Sequence, residues 1–286
     1  LGKDSQGSFY FYTRTHGFII CIKAYILLRV FMKYYIIAGE ASGDMHGANL
    51  MKHILEHDAN ADFRFFGGDM MKSVGGSLVR HYSDMSYMGI WEVIRNIRKI
   101  SRNVSLCKKD IIHYNPDLII LIDYAGFNFR IAKYAKAHSL KVYYYILPKL
   151  WAWGKSRVKK IRKYIDKGFV ILPFEVGFYN KLSINVEFFG NPLVDEIEKF
   201  KRYSISLKDF RNINRLSDKP IIALLAGSRK QEIDRCLPEM IAITKHYPDY
   251  QFVVAGATSI EKEYYSKALQ NTNVKIVHNQ TYPLLT

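Results

Sequence analysis

Cysteine is scarce in this chain: Cys21, Cys107 and Cys236 stand far apart in 286 residues. An odd, scattered trio gives neither a disulfide framework nor a metal-cluster spacing, and it suits a reducing cytoplasm. Acidic side chains are also few, 26 against 42 Lys and Arg, which leaves a net charge of +16. Such an excess attracts phosphates, nucleic acid or an anionic membrane face. Nucleic acid is disfavoured by three further absences: there is no zinc-ligand spacing, no RNP-type strand and no isolated basic tail. The positive residues lie instead on helices between strands of an α/β pattern, so a phosphorylated ligand or a membrane surface is the favoured partner.

Residues 1–31 stand apart from the rest. The chain begins with Leu1, and Met32 immediately precedes the first well-formed strand pattern. The apolar part, Phe18 to Phe31, is interrupted by Lys23 and Arg29 and is too short to span a bilayer. No small-residue cleavage site follows it, which argues against a secretory signal. The segment is read as upstream sequence or a fragment edge, with an interfacial helix as the alternative.

From Met32 onward, strand, loop and helix alternate, which implies a parallel sheet. Lys33–Ala38 is read as a strand, about Met45 to His57 as a helix, and Phe63–Phe66 as a second strand ended by two glycines. A long helix is expected over Trp91–Tyr114, broken by Asn115 and Pro116 before the uniformly apolar strand Leu118–Ile122. Strands at 141–146, 168–172 and 186–189 complete a first domain over 32–198, and Gly190-Asn191-Pro192 marks its end. Residues 200–218 read as a linker with a surface helix. A second Rossmann-like unit begins at Pro220: strands at 221–225, 251–255 and 274–277 surround helices at 231–246 and 260–269. Three strands and two helices leave this unit, 199–286, with an unfilled sheet edge, and it is read as truncated.

Candidate chemistry gathers at strand ends. Gly39-Glu40-Ala41-Ser42-Gly43-Asp44 follows the first strand and opens a helix, where glycine permits close backbone approach and helix N–H groups attract an anion. It is not G-x-G-x-x-G, so a nicotinamide dinucleotide is disfavoured; capping by Ser42 or Asp44 is the competing explanation. Leu225-Ala226-Gly227-Ser228-Arg229 repeats the design, with Arg229 able to fork onto a diphosphate beside the N–H groups of Gly227 and Ser228. Asp123 ends an apolar strand; partial desolvation there would raise its pKa and suit it to accept a proton from a hydroxyl, with Glu40 and Asp44 as alternative bases. The richest stretch, 143–179, joins two strands through Lys149, Trp151, Trp153, Lys155 and Arg157, bringing rigid aromatics and positive charge to one rim. An amphipathic anion fits that surface better than a neutral metabolite.

In order along 32–286 stand IIAGEASGDMHGANL, FFGG, Tyr87-Met88-Gly89, PDLIILIDYAGFN, the WAW and VKKI segment, VILPFE, GNPLVDE and LLAGSRKQEI. Together these resemble the lipid-A-disaccharide synthase family, inverting glycosyltransferases of glycosyltransferase family 19 from Gram-negative bacteria. The resemblance implies a GT-B architecture of two facing Rossmann-like domains. It also implies transfer of 2,3-diacylglucosamine from UDP to the 6-hydroxyl of 2,3-diacylglucosamine 1-phosphate, forming a β-1,6 disaccharide in lipid A biosynthesis without metal or other cofactor. By the family pattern Asp123 and Arg229 are catalytic, Gly227 and Ser228 join Arg229 in binding the donor, and Glu40, Ser42, Asp44, Trp151, Trp153 and Arg157 line the acceptor side. A protein held peripherally on the cytoplasmic face of an anionic inner membrane follows, with Arg95, Arg98, Lys99, Arg102, Lys159, Lys160, Arg162 and Lys163 as docking charges; a homodimer is left open.

The chain departs from that pattern in places. Ala125-Gly126 stands where many members have Pro-Asp, Leu147-Pro148 where others have Ser-Pro, and Gly154 where others have Arg. The family's later Ser-Gly-Thr-x-Thr-x-Glu loop lies beyond Thr286, so weak donor binding is expected of this chain. The alternatives are an inactive fragment that retains acyl-sugar or membrane binding, or another GT-B transferase with a lipid-linked acceptor.

Overall fold

A computed structural model describes residues 32–85, 95–150, 157–202, 205–257 and 260–285. The chain divides into two compact units between Val194 and Asp195. In the first, strands β1 (Lys33–Ala38), β2 (Asp62–Gly67), β3 (Ser77–His81), β4 (Leu118–Ile122), β5 (Val142–Tyr145), β6 (Lys167–Val170) and β7 (Val186–Phe188) alternate with helices. These helices are α1 (Ala41–Leu55), α2 (Asp69–Val74), α3 (Ile97–Tyr114), α4 (Ala125–Ala137), α5 (Val158–Tyr164) and α6 (Pro173–Lys181). The seven strands pair in parallel in the order β3-β2-β1-β4-β5-β6-β7. The order reverses between β1 and β4, the switch point of a doubly wound sheet.

Strand periodicity explains the layers. Tyr35 and Ile37 of β1, Ile119 and Leu121 of β4 and Tyr144 of β5 pack with Val104 and Cys107 of α3 and Ile131 and Ala132 of α4. Their sequence neighbours Tyr34, Ile36, Ile120 and Tyr143 enter the opposite core with Leu50, Met51 and Ile54 of α1. Alternate residues thus go to opposite faces and both faces are covered, which is why these strands are apolar throughout rather than alternating. Asn115 ends α3 in the left-handed conformation, φ 49°, directly before Pro116.

Several expectations need correction. Strand β3 was not foreseen: its Ser-Leu-Val-Arg-His sequence is half-exposed at the sheet edge and carries no apolar run. Helix α1 begins at Ala41 rather than Met45, so the glycine motif lies mostly inside the helix. The helix expected from Trp91 is described from Ile97; Trp91, Trp151, Trp153 and Lys155 lie outside the described residues. The span 200–218 is not a plain linker. Helix α7 (Pro192–Arg202) runs into it, and α8 (Leu207–Ile213) sends Phe210, 1% exposed, into the core of the second unit.

That unit has a parallel sheet in the order β10-β9-β8, with β8 at Ile221–Leu224, β9 at Gln251–Gly256 and β10 at Lys275–His278. Helices α9 (Lys230–Thr244), α10 (Lys262–Ala268) and α11 (Thr281–Leu285) accompany it. One face packs Leu224, Phe252 and Val254 on Ile233, Leu237 and Tyr265. The other gathers Phe210, Val253, Ala255, Val277 and Leu284. Among the described residues no helix is long and apolar enough to cross a membrane.

Candidate functional site

Strands β1 and β4 pair with Ala38 beside Ile122, so the loops that follow them leave the sheet at the same level on both sides of the switch point. This register joins two motifs far apart in sequence. Gly39 is buried, and a Cβ built there would lie 2.2 Å from Tyr124 Cδ1. The ring of Tyr124 therefore fills the space a side chain at residue 39 would need. Glu40, one residue after Gly39, and Asp123, one residue before Tyr124, border the same edge.

Asp123 and Tyr124 both hold left-handed backbone angles, φ 41° and 46°. Non-glycine residues adopt these only at a cost of roughly 1–3 kcal/mol each unless the surroundings enforce them. Here they do. The Asp123 N–H donates to the Tyr145 carbonyl at 3.1 Å, and the Asp123 carbonyl accepts from Asn128 Nδ2 at 2.7 Å and from the Tyr144 hydroxyl. The Tyr124 hydroxyl donates to the Met85 carbonyl. Asn128 and Tyr144 are fully buried, and burial, then the Asp123 charge, pushes the Tyr144 phenol well above its usual range. Tyr144 is thus a fixed neutral donor. Asp123 itself is exposed, which corrects the expectation of a desolvated carboxylate: position and backbone strain, rather than burial, distinguish it.

The other residues of the first motif divide. Glu40 is half-buried at the N-cap of α1, and Ser42 is exposed in its first turn. Asp44 is only 2% exposed and reaches the start of α2: its carboxylate accepts from the N–H groups of Gly68 at 2.7 Å, Met70 at 3.0 Å and Met71 at 3.1 Å. A carboxylate so engaged caps the neighbouring helix, the competing explanation for this residue.

The third loop at this edge follows β5. Ile146 is left-handed, φ 63°, a genuine outlier for a β-branched residue. Its neighbours pin it: the Leu147 N–H donates to the Phe169 carbonyl at 3.0 Å, and the buried Tyr179 hydroxyl donates to the Pro148 carbonyl. Beyond the exposed Lys149 and the buried Leu150 the described chain resumes at Arg157. Arg157 then lines a cavity of about 400 Å³ together with Phe129, Arg130, Lys133, Lys160 and Tyr164. Ala125 and Gly126, the first turn of α4, complete its wall. Arg130 and Lys133 escaped the sequence reading, although their three-residue spacing puts them on one helical face. Lys160, first grouped with surface docking charges, belongs to this cavity. Arg162 is also not a simple surface charge, since its guanidinium donates to the Leu182 carbonyl at 2.9 Å.

In the second unit, β8 runs into Leu225, Ala226 and Gly227, the last at φ 109°, and Arg229 is the N-cap of α9. Glu232, which the sequence reading passed over, organises the turn. Its carboxylate accepts from the Ser228 N–H at 2.9 Å and from Arg229 Nη1 at 2.8 Å, and a Cβ at Gly227 would come within 2.5 Å of it. The Ser228 N–H, aided by Arg229 and opposed by partial burial, holds the Glu232 carboxyl below its usual pKa. Donors at Ser228 and Arg229 are thus arranged for an oxyanion, which Glu232 supplies from within the chain.

A doubly wound parallel sheet with strained loops at its switch point, and a second parallel sheet leading into an anion-seeking Gly-Ser-Arg turn, define a Rossmann-type protein of the GT-B-like class. A family model described as lipid-A-disaccharide synthetase matches residues 34–283, and the chain belongs to that family. It is 39% identical over 229 residues to a lipid-A-disaccharide synthase of Geobacter metallireducens, covering 79% of this chain and 59% of the relative. It is 34% identical over 254 residues to one of Syntrophus aciditrophicus, covering 86% and 66%. The chain thus spans about three-fifths of the length of the curated relatives it matches. Its fold resembles UDP-GlcNAc 2-epimerases, that of Neisseria meningitidis bound to UDP-GlcNAc with a TM-score of 0.62 at 14% identity, covering 89% of this chain and 74% of that one. That of Methanocaldococcus jannaschii, in complex with UDP-GlcNAc and UDP, gives 0.58 at 14% identity over 86% and 73%.

Proposed function

We propose that this protein is a hexosyltransferase of lipid A biosynthesis, moving 2,3-diacylglucosamine from UDP to the 6-hydroxyl of 2,3-diacylglucosamine 1-phosphate with inversion. Family membership supports the reaction class, and the meeting of the Gly39 and Asp123 loops at the switch point carries the assignment of the centre. In this reading Asp123 takes the proton of the acceptor hydroxyl, whose oxygen forms the new bond to the anomeric carbon. The bond from that carbon to the diphosphate breaks with its electron pair leaving on UDP. Arg229 and the N–H groups around Gly227 and Ser228 stabilise the charge that develops there. Glu40, Ser42, Arg157 and the Trp151 and Trp153 loop serve the acceptor, while Asp44 serves the fold.

Substrates with acyl chains require access to a membrane, and the excess of 16 positive charges suits peripheral docking on an anionic cytoplasmic leaflet. The test is incubation of the chain, and of a version extended to the relatives' length, with UDP-2,3-diacylglucosamine and radiolabelled 2,3-diacylglucosamine 1-phosphate. Labelled disaccharide and UDP in equal amounts support the assignment; no disaccharide from either form overturns it.

A further inference from the structure

The cavity between α4 and α5 gathers cations of which only Arg157 has a role in the reaction as described above. Among the described residues four cations line it, Arg130 and Lys133 on α4 and Arg157 and Lys160 at the start of α5, and no carboxylate does. Three other cations on the same two helices are engaged, while Lys159 is exposed at the surface. Lys136 of α4 pairs with Asp166 at 2.7 Å, Arg162 of α5 donates to Leu182, and Lys163 lies 5.9 Å from the centre of the Tyr164 ring. Among the described residues none makes an ion pair with any of the four that line the cavity. Two cation pairs, each three residues apart on its own helix, thus face one space, where they repel one another until an anion enters.

The rest of the wall narrows the ligand. Phe129, 6% exposed, and Tyr164 supply apolar and ring surface of the kind that covers a sugar face, and Gly126 has nothing within 4 Å of where a side chain would stand. A volume of about 400 Å³ lies within the range of small-ligand pockets, roughly 300–1,000 Å³. Arg157 also ties the cavity to the reaction edge, because its charge acts on the Tyr144 phenol that donates to the Asp123 carbonyl.

We propose that this cavity is a phosphomonoester subsite which holds the anomeric phosphate of the acceptor sugar, with Arg130, Lys133, Arg157 and Lys160 as its ligands. The proposal rests on the disaccharide-forming reading for the identity of the acceptor but not for the chemistry of the pocket. The same cations could take the phosphate of a glycerophospholipid headgroup, so the test separates the two sources. Calorimetry with glucosamine 1-phosphate, glucosamine and sn-glycerol 3-phosphate is performed on the wild-type chain, on the double variants Arg130→Gln/Lys133→Gln and Arg157→Gln/Lys160→Gln, and on Lys181→Gln as a control. Thermal unfolding checks that each variant folds.

Glucosamine 1-phosphate is expected to bind the wild type and Lys181→Gln alike and to lose roughly tenfold or more in affinity in each double variant, with glucosamine and glycerol 3-phosphate binding far more weakly. Binding of glucosamine 1-phosphate that survives in both folded double variants overturns the subsite. Equal binding of glycerol 3-phosphate overturns the acceptor as its ligand and assigns the pocket to lipid headgroups. Affinity lost in the variants while no form makes disaccharide leaves the subsite standing and removes the transferase reading instead.

Discussion

The ring of Tyr124 occupies the volume that a side chain on Gly39 would need, with Tyr124 Cδ1 2.2 Å from that point. The two loops at the switch point are therefore fitted to each other, and each fixes the other's path. Gly39→Ala must displace Tyr124 and with it the left-handed pair Asp123-Tyr124. The expected loss is about 1–3 kcal/mol of stability in urea unfolding, with transferase activity falling further than stability explains. Wild-type stability and rate in that variant would show the packing to be incidental.

Asp44 makes a contrasting prediction. Asp44→Ala removes the acceptor of three backbone N–H groups at the start of α2, and a loss of about 2–4 kcal/mol is expected. Asp44→Asn, which keeps one acceptor, loses less and, once folded, turns over substrate at near the wild-type rate. A folded but inactive Asp44→Asn would return Asp44 to the reaction.

Glu232 gives a pH signature. Its folded pKa lies below the ordinary value of 4.5, so the stabilisation it gives to the Ser228-Arg229 turn is present above that value and is lost as pH falls through the depressed pKa. The group is substantially exposed, so its contribution is small, less than about 1 kcal/mol. Glu232→Gln should therefore unfold at a lower temperature than wild type at neutral pH, and the gap should close as the pH is lowered through the depressed pKa of Glu232. A gap that is constant with pH would rule out the carboxylate as its source.

Surface charge is expected to govern membrane docking. Arg98, Lys99 and Arg102 are exposed near the start of α3, beside Ile97, which is 58% exposed. Neutralising the three to Gln should reduce binding to phosphatidylglycerol-containing vesicles, and wild-type binding should weaken as salt is raised. Vesicle binding that is unchanged by the substitutions removes this helix from the docking surface.

Local signals revealed the elements, while long-range contacts decided the site. The apolar run Leu118–Ile122 could hardly be other than a doubly covered strand, and Asn115-Pro116 had to end a helix. The three backbone donors to Asp44 lie 24 to 27 residues away in sequence, so nothing near Asp44 distinguished a cap on another helix from a cap on its own. The cavity was hidden for the same reason, since its cations come from two helices on either side of β5. Glu232 was different: it stands three residues after Arg229 in the Gly-Ser-Arg-Lys-Gln-Glu sequence, and its i,i+3 spacing was readable from the start. Asp123 was recognised as a strand-end carboxylate, but its exposure and its backbone angles became visible only in the structure.

The most direct measurement is single-turnover transfer by Asp123→Asn in the form extended to the relatives' length, with thermal unfolding as a control. If Asp123 takes the proton of the acceptor hydroxyl, the variant keeps its fold and its affinity for both substrates, and the chemical step slows by roughly a hundredfold or more. A folded Asp123→Asn protein that forms disaccharide at the wild-type rate would contradict the placement of the reaction at this switch point.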